Sequence, residues 1–402
     1  MKHIKLLFAL IVFTLLISCA SSKINKTLKQ GNIVQENFKT TIPFEYRKGL
    51  IILKVTIENE KYDFILDTGA SNVLSKELAE KLNAKSLGSE NVTDVHKTSQ
   101  LLNYTKIDDI EIGGINFKNT IAAISDFNSG ELACLNADGF IGSNLMRFAV
   151  WDFDFKNQII TITDNEQKLN IPEDAIESKM FIGNAASQPS IISYINGDKA
   201  LNNMIDLGNN STPHLAYGDF LKQKESNKIT KYISGSGYSG IGMYGKGEKK
   251  NELAAKVDEI KIGDHIIKNK VMRVKDGKTN LGILFFKNYR LILNWEERNV
   301  KMVLQESTSN NTELNHFGFN PNFNENKVFV DFIYNDTEAS KVLQFGDQIL
   351  QIDNIDFTNI TDNNKCDYFN DGIIPKGTDE ITIRILRNEE ELEFQLKKVR
   401  LL

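Results

Sequence analysis

Apolar and polar residues alternate along much of the chain with the period of two that is typical of half-buried β-strands. The pattern is clearest in residues 107–119 and 257–269, where each segment contains two short alternating runs around a glycine turn. A third alternating run covers residues 381–385. Long helical periodicity is scarce and β-branched residues are frequent, so the sequence predicts a mainly β protein.

The two longer segments belong to an internal repeat. Upstream of each, an apolar run ends in an aspartate that is followed two residues later by a glycine, and these aspartates are Asp67 and Asp206. Downstream of each, a glycine follows an apolar residue, at Gly142 and Gly282. Because the same markers occur twice in the same order, the chain is expected to contain two related halves.

The first aspartate lies in the motif Asp67-Thr68-Gly69-Ala70. The strand before it delivers an acid to a fixed place, the hydroxyl of Thr68 is able to hydrogen-bond across to a partner loop, and Gly69 lets its backbone N–H approach the carboxylate. The alternative is a simple turn after a strand, in which Asp and Gly supply left-handed backbone geometry. The repeat favours the first interpretation.

On this motif and its repeat, residues 41–305 resemble the retropepsin-like aspartic proteases, in the bacterial form in which one chain carries two related β-lobes. The resemblance implies that Asp67 and Asp206 form the catalytic pair, that Gly142 and Gly282 pack beneath the two aspartate loops, and that a β-hairpin flap covers the substrate. Two carboxyl groups about 3 Å apart share one proton. The charged group then activates a water molecule that attacks the peptide carbonyl.

The second half departs from the pattern of that family, because Leu207 stands where Thr or Ser is usual. The reciprocal hydrogen bonds between the two loops are therefore expected from one side only. In the alternative interpretation the second lobe is a degenerate packing partner and Asp206 is a turn residue. Activity would then require two first lobes from two chains, or would be absent.

Two further residues predict an asymmetric pair of acids. Ala70 stands where acid-active relatives commonly carry a hydroxyl, and the loss of one donor raises the pKa of the neighbouring carboxyl. In the second loop Gly208 is followed by Asn209, whose amide is expected to donate to Asp206. The sequence therefore predicts that Asp206 carries most of the charge and that the other aspartate carries most of the proton.

A glycine-rich stretch at residues 235–247 lies between the second aspartate loop and the paired strands of the second half. Its position predicts a flap or a hairpin near one. The equivalent residues 91–104 are polar and lack these glycines, so one mobile cover over an asymmetric cleft is expected. The flap candidates are Gly237, Tyr238, Gly240 and Tyr244. Their tyrosines are expected over the substrate or over the core of their own lobe.

After a polar linker, the segment of residues 306–402 contains the loop Phe317-Gly318-Phe319 near its start. On this loop the segment resembles a PDZ domain, whose carboxylate-binding loop the three residues match. The resemblance implies a groove that binds a C-terminal peptide by adding a strand to a sheet edge. The alternative is a capping domain with an occupied groove. Residues 399–402 are expected to serve as a ligand or as a last strand.

The N-terminal residues 1–19 look like a bacterial lipoprotein signal, with a basic start, a short apolar core and a lipobox that ends at Cys19. An ordinary cleaved signal with an incidental cysteine is the alternative. Residues 20–40 are expected to be a tether. By resemblance to known sorting signals, the protein is expected at the outer membrane, facing the periplasm.

Composition excludes several other classes of protein. The net charge of −5 offers no basic patch for nucleic acid. The histidines lack the spacing of a zinc site, so neither a metal nor another cofactor is expected. Cys134 and Cys366 belong to different candidate domains and are expected to be separate thiols.

These observations combine into one interpretation. The chain is expected to fold as two acid-protease lobes, residues 41–165 and 166–305, followed by the PDZ domain, and to be a lipid-anchored aspartic endopeptidase. Its partners are then a peptide or protein substrate, a C-terminal peptide ligand and the membrane that holds the lipid. A non-catalytic peptide-binding adaptor of the cell envelope is the alternative.

Overall fold

The computed structural model describes residues 24, 26–93, 98–127, 130–238, 241–242, 245–246, 248–306 and 313–402. Over these residues strands predominate, which confirms the mainly β class predicted from the alternating pattern. No helix in this part of the chain is long and apolar enough to span a membrane.

The strands of the first half follow one another closely, with few helices between them. They are β1 (Asn32–Ile33), β2 (Lys39–Pro43), β3 (Glu45–Arg47), β4 (Leu50–Ile57), β5 (Glu60–Asp67), β6 (Asn72–Ser75), β7 (Ser86–Thr93), β8 (Ser99–Ile112), β9 (Ile115–Ser125), β10 (Gly139–Gly142), β11 (Val150–Asp154) and β12 (Ile159–Thr163). The helices are α1 (Lys76–Lys81) and α2 (Ser143–Met146), with 3-10 turns at Gly130–Leu135 and Glu166–Lys168.

The second half repeats this layout. Its strands are β13 (Ile176–Lys179), β14 (Phe181–Ile182), β15 (Pro189–Ile195), β16 (Asp198–Asp206), β17 (His214–Ala216), β18 (Tyr232–Gly237), β19 (Ile241–Gly242), β20 (Gly245–Lys246), β21 (Lys250–Ile262), β22 (His265–Lys275), β23 (Asn280–Gly282), β24 (Tyr289–Asn294) and β25 (Asn299–Leu304). Its helices are α3 (Tyr217–Glu225) and α4 (Ile283–Phe286).

The C-terminal unit is smaller and has its own apolar core. Its elements are β26 (Asn315–His316), β27 (Phe319–Asn324), β28 (Lys327–Tyr334), α5 (Glu338–Val342), β29 (Gln348–Ile352), β30 (Ile355–Asp356), α6 (Asp362–Asp371), β31 (Glu380–Arg387), β32 (Glu390–Lys397) and β33 (Val399–Arg400). Thr337 and Thr361 close capping boxes at the starts of α5 and α6, which fixes where both helices begin.

The repeat in the sequence corresponds to one strand arrangement formed twice. In the first half β10 runs parallel to β5, which places Gly142 opposite Asp67. In the second half β23 runs parallel to β16, which places Gly282 opposite Asp206. An antiparallel strand, β6 or β17, borders the other side of β10 or β23. Each aspartate therefore stands at the end of a strand that a short parallel strand supports.

The two halves share a six-stranded sheet in the order β13-β25-β24-β11-β12-β2. At its centre β11 pairs antiparallel with β24. Arg290 of β24 donates to both carboxylate oxygens of Asp152 on β11, at 2.7 and 2.6 Å. A single apolar core, with Trp151 fully buried in it, contains side chains from both halves. The relative position of the two aspartate loops is therefore set by a common sheet and a common core.

The C-terminal unit continues the sheet of the second half. Strand β28 pairs antiparallel with β18, so that Gly235 lies opposite Tyr334 and Gly237 lies opposite Phe332. The same sheet extends through β29, β31 and β32. The hairpin strand β18 is thus held on one side by its own lobe, through β21, and on the other by the C-terminal unit.

The expectation of two separate thiols was wrong, because Cys134 and Cys366 form a disulfide with Cα atoms 4.9 Å apart. The bond joins the 3-10 turn Gly130–Leu135 of the first half to helix α6 of the C-terminal unit. Lys48 of the first half also donates to the carbonyl oxygen of Phe369 on that helix. Membership of different domains did not keep the two cysteines apart, because the domains pack against each other here.

The stretch expected as a tether differs from that expectation in its described part. Ile24 and Leu28 are buried in the first half, and β1 pairs antiparallel with β9. Their spacing of four places both side chains on one face of a helical turn. Of the two roles expected for residues 399–402, the last strand is observed, since β33 pairs with β26 and Leu402 is buried.

Candidate functional site

Asp67 and Asp206 are brought together where the two halves meet. Each is the last residue of its strand, β5 or β16. Their side chains hydrogen-bond to each other, although the two strands belong to different halves of the chain. Asp206 is buried, whereas Asp67 is partly exposed.

The loops that carry the two acids are linked from one side only, as Leu207 predicts. The hydroxyl of Thr68 donates to the carbonyl oxygen of Ile205 at 2.7 Å and accepts from the backbone N–H of Leu207 at 2.9 Å. The side chain of Leu207 is fully buried and returns no hydrogen bond. Ser143, which sequence reasoning missed, donates to the carbonyl oxygen of Thr68 at 2.7 Å and steadies that loop.

The glycines of both loops allow the acids to approach each other. Each donates its N–H to the aspartate two residues before it, Gly69 at 2.7 Å and Gly208 at 3.0 Å. A Cβ atom on Gly69 would lie 2.7 Å from Oδ1 of Asp206. A Cβ atom on Gly208 would overlap the carboxyl group of Asp67. Any side chain at either position would therefore separate the carboxyl groups.

The supporting glycines lie where the resemblance implies, each under its aspartate loop. A Cβ atom on Gly142 would overlap the backbone of Ser71, and one on Gly282 would overlap the carbonyl oxygen of Asn209. The residue after each glycine also bonds to the loop above it. Ser143 N donates to Ala70 O at 3.0 Å, and Ile283 N donates to Asn209 O at 2.9 Å.

The surroundings raise the pKa of both acids, but unequally. Burial and the adjacent charge of Asp206 raise the pKa of Asp67 well above its usual value, and the N–H groups of Gly69 and Ala70 offset this only in part. Burial also raises the pKa of Asp206. The side chain of Asn280, the other carboxyl and two backbone N–H groups oppose that rise. The balance favours a protonated Asp67 beside a charged Asp206, the direction expected from the sequence.

The donor that favours the charged form of Asp206 differs from the one expected. Nδ2 of Asn280 donates to Oδ2 of Asp206 at 2.6 Å, whereas the side chain of Asn209 donates to Oδ1 of Asn280 at 2.8 Å. Asn209 reaches the acid directly only through its backbone N–H. The sequence did contain a signal for this donor. Asn280 and Phe140 both stand two positions before a supporting glycine, and only the second half has a polar residue there.

The described flap candidates contact the C-terminal unit. The ring of Tyr238 lies 5.5 Å from that of Phe345 between centroids, and a Cβ atom on Gly237 would overlap the backbone of Asp331. Gly240 and Tyr244 lie outside the described residues. Strand β18 is paired on both sides, by β21 and by β28, whereas β7 of the first half pairs only with β8 among the described strands. This arrangement differs from the expectation that the second half carries the mobile cover.

The loop predicted to bind a carboxylate is well defined. Phe317 and Phe319 are buried, and Gly318 adopts a φ of +91°, which favours glycine. The N–H of Gly318 donates to Nδ1 of His316 at 3.0 Å. Cys19 lies outside the described residues. Among those described, no group of three or more His, Cys, Asp or Glu side chains is placed to hold a metal ion.

Comparison with known proteins gives a family match within the first lobe. The aspartyl protease family model matches residues 53–145, a range that contains Asp67 and Gly142. No curated protein matches the chain. One solved structure to which the chain is similar is the basic 7S globulin from soybean, at a TM-score of 0.41 and 10% identity, over 69% of this chain and 98% of that one. The match of residues 53–145 to the aspartyl protease family supports a protease-like function for this part of the chain.

Proposed function

We propose that the protein is an aspartic endopeptidase whose catalytic pair is Asp67 and Asp206. The observation that carries this proposal is the hydrogen bond between the two carboxyl groups, at the junction of two similar lobes. Two acids in contact hold one proton between them, which is the state that peptide hydrolysis by water requires.

In this mechanism a water molecule binds between the two carboxyl groups. Charged Asp206 takes a proton from the water as its oxygen attacks the peptide carbonyl, and protonated Asp67 donates to the developing oxyanion. The tetrahedral intermediate collapses when the amine nitrogen accepts a proton and leaves. The enzyme forms no covalent bond to the substrate, and the protein groups that matter are those that keep one acid charged and the other protonated.

The C-terminal unit is proposed to be a PDZ domain that recruits the substrate or regulates the lobes. Strand β27 pairs with β28 alone among the described strands, which leaves one edge for an added peptide strand. Helix α6 lies beside that edge, since Nζ of Lys365 is 5.6 Å from the ring centroid of Phe323. The bond between Gly318 N–H and His316 reduces the donors left for a terminal carboxylate, so backbone pairing along β27 would supply most of the affinity.

The proposed location is the cell envelope, with a lipid on Cys19 that holds the protein at the outer membrane, facing the periplasm. The disulfide between Cys134 and Cys366 supports an oxidising compartment, where such bonds persist. Labelling of cells with a radioactive fatty acid tests this: Cys19→Ser should abolish incorporation into the protein. Equal labelling of the variant would contradict the lipid anchor.

A non-catalytic peptide-binding adaptor is the second candidate, and the unreciprocated Leu207 favours it. Incubation of the purified protein from residue 20 onward with a diverse peptide library separates the two functions. The peptidase should cleave peptides that Asp67→Asn leaves intact. A matched control is Asp108→Asn, which removes an exposed carboxylate paired with Lys106 and should cleave as the wild type does. Binding of peptides without any cleavage by the wild type would favour the adaptor.

A further inference from the structure

A chain of buried and partly buried polar side chains leads away from the second acid. Asn280 bonds to Asp206, Asn209 bonds to Asn280, and Ser211 bonds to Asn209. Nε2 of His214 lies 3.1 Å from Oγ of Ser211 and ends the chain. The loop of Asp67 carries Ala70 at the place of Asn209, and an alanine side chain makes no hydrogen bonds.

The direction of these hydrogen bonds is fixed by a group that can only donate. The backbone N–H of Ser211 donates to Oδ1 of Asn209 at 2.9 Å, so this atom is the oxygen and the NH₂ group of Asn209 must face Asn280. The atom of Asn280 that accepts from it is therefore its oxygen. It follows that Asn280 presents its NH₂ group, and not its oxygen, to Asp206.

An NH₂ group in this orientation discriminates between the two protonation states of Asp206. It stabilises the charged carboxylate, which accepts hydrogen bonds only, more than the neutral acid. The corresponding residue of the first half is Phe140, which has no donor to offer Asp67. Both acids accept from the N–H of the glycine two residues further on, and the amide of Asn280 is a donor that distinguishes the surroundings of Asp206 from those of Asp67.

We propose that Asn280 is a positioning residue that makes Asp206 the charged member of the pair and leaves the shared proton on Asp67. Asn209 and Ser211 hold the amide of Asn280 in the orientation that this role needs. The inference rests on the proposed function, since it assigns the two acids of that site their separate parts.

The titratable groups around this network leave the assignment intact. Asp67 faces Asp206 directly, and His214 lies at the far end of the chain. Burial and the neighbouring Lys275 and Arg273 lower the pKa of His214 to about 2. The imidazole is therefore neutral over the pH range in which the two acids titrate, and it adds no charge to the network there.

The substitution Asn280→Leu tests the role, because it keeps the approximate size of the side chain and removes the donor. With its charged form less stable, Asp206 should ionise about one to two pH units higher. This shift is read from the carboxyl ¹³C resonances of the two acids, assigned with Asp67→Asn and Asp206→Asn, as the pH is varied. If the protein is a peptidase, the acid limb of the pH profile of kcat/KM should move by the same amount.

Asn203→Leu is the matched control, because Asn203 is also buried and makes its hydrogen bonds to Ser193 and Ala200 instead. It should lower the melting temperature and leave the titration of the acids unchanged. If Asn280→Leu does not fold, Asn209→Asp serves in its place. A second oxygen there frees the amide of Asn280 to turn and should raise the same pKa.

The titration keeps this inference apart from the proposed function. A folded Asn280→Leu or Asn209→Asp protein whose acids titrate as in the wild type would overturn the role of Asn280. Absence of peptide cleavage by the wild type would overturn the proposed function alone, because the resonances report the shared proton whether or not a substrate is cut.

Discussion

The hydroxyl of Thr68 bonds to the backbone of Leu207 in the opposite loop, and the side chain of Leu207 returns no bond. The hydroxyl of Thr68 therefore links the two loops from one side. In the family that the sequence resembles, both loops contribute a hydroxyl to this link. The relative position of the two acids therefore depends on few contacts, and a change to one of them should have a measurable effect.

Thr68→Val should remove the link while keeping the shape of the side chain. The carbonyl of Ile205 and the N–H of Leu207 would remain buried without partners, so the free energy of unfolding should fall by about 2–4 kcal/mol. Urea unfolding measures this. Thr41→Val is the control, since its hydroxyl is 3.3 Å from that of Thr161 at an exposed site and its loss should change stability by less than about 0.5 kcal/mol. Equal effects of the two changes would contradict the link.

Gly69→Ala should separate the acids, since the new Cβ atom would lie 2.7 Å from Oδ1 of Asp206. A displacement of about 1 Å at reacting groups costs on the order of 100-fold in rate, which is the loss expected in kcat/KM. Gly218→Ala in α3 is the control: it meets open space and should leave kcat/KM unchanged while raising stability by about 0.4–1 kcal/mol. Wild-type activity in Gly69→Ala would mean that the acids need not touch.

The raised pKa of Asp67 predicts how stability depends on pH. The folded protein holds the proton on Asp67 more tightly than the unfolded chain does, so this group favours folding at low pH and opposes it once the proton is lost. Asp67→Asn removes the carboxyl group that the folded protein must keep protonated, so the variant should be more stable than the wild type at neutral pH. The advantage should vanish below about pH 4, where the unfolded carboxyl is also protonated. Denaturant unfolding at several pH values measures the difference, and a pH-independent difference would contradict it.

The same raised pKa bears on the pH profile of the proposed activity. The singly protonated pair is the reactive form, so kcat/KM should rise as Asp206 ionises and fall as Asp67 loses its proton. Because burial raises both pKa values, the maximum should lie above about pH 4. Steady-state rates across the pH range give the profile, and a maximum below pH 4 would show that the pair is tuned for acid instead.

Loss of the disulfide should loosen the C-terminal unit from the first half. Cys366→Ser removes a bond that closes a loop with a sequence separation of 232, so stability should fall by about 2–5 kcal/mol under non-reducing conditions. Under reducing conditions the variant and the wild type should differ by less than about 0.5 kcal/mol. Two free thiols per wild-type molecule, counted without a reductant, would contradict the bond.

Sequence patterns predicted the fold class because alternation with a period of two directly reflects strands with one buried face. The repeat likewise led to the two acids, since Asp67 and Asp206 occupy the same place in both halves. Asn280 was missed as a site residue, because its counterpart Phe140 makes no polar contact and comparison of the halves could not reveal a role present in only one.

Contacts between the units could not be predicted from the sequence, because they produce no periodic pattern of apolar and polar residues. Cys134 and Cys366 lie in separate segments, and only the approach of helix α6 to the first half brings them together. The pairing of β18 with β28 is of the same kind, because the polar and glycine-rich β18 gives no sign that a strand from another unit will lie beside it. Such contacts depend on how completed domains pack.

Comparison of Asp206→Asn with Asp67→Asn tests the central claim most directly, because the claim requires one acid from each half. With a peptide that the wild type cleaves, both variants should lose at least about 1,000-fold in kcat/KM, since each removes one member of a proton-sharing pair. Mixing the two variants should restore no activity if the pair forms within one chain. Retention of wild-type activity in Asp206→Asn, with loss in Asp67→Asn alone, would contradict the account and point to two first lobes from separate chains.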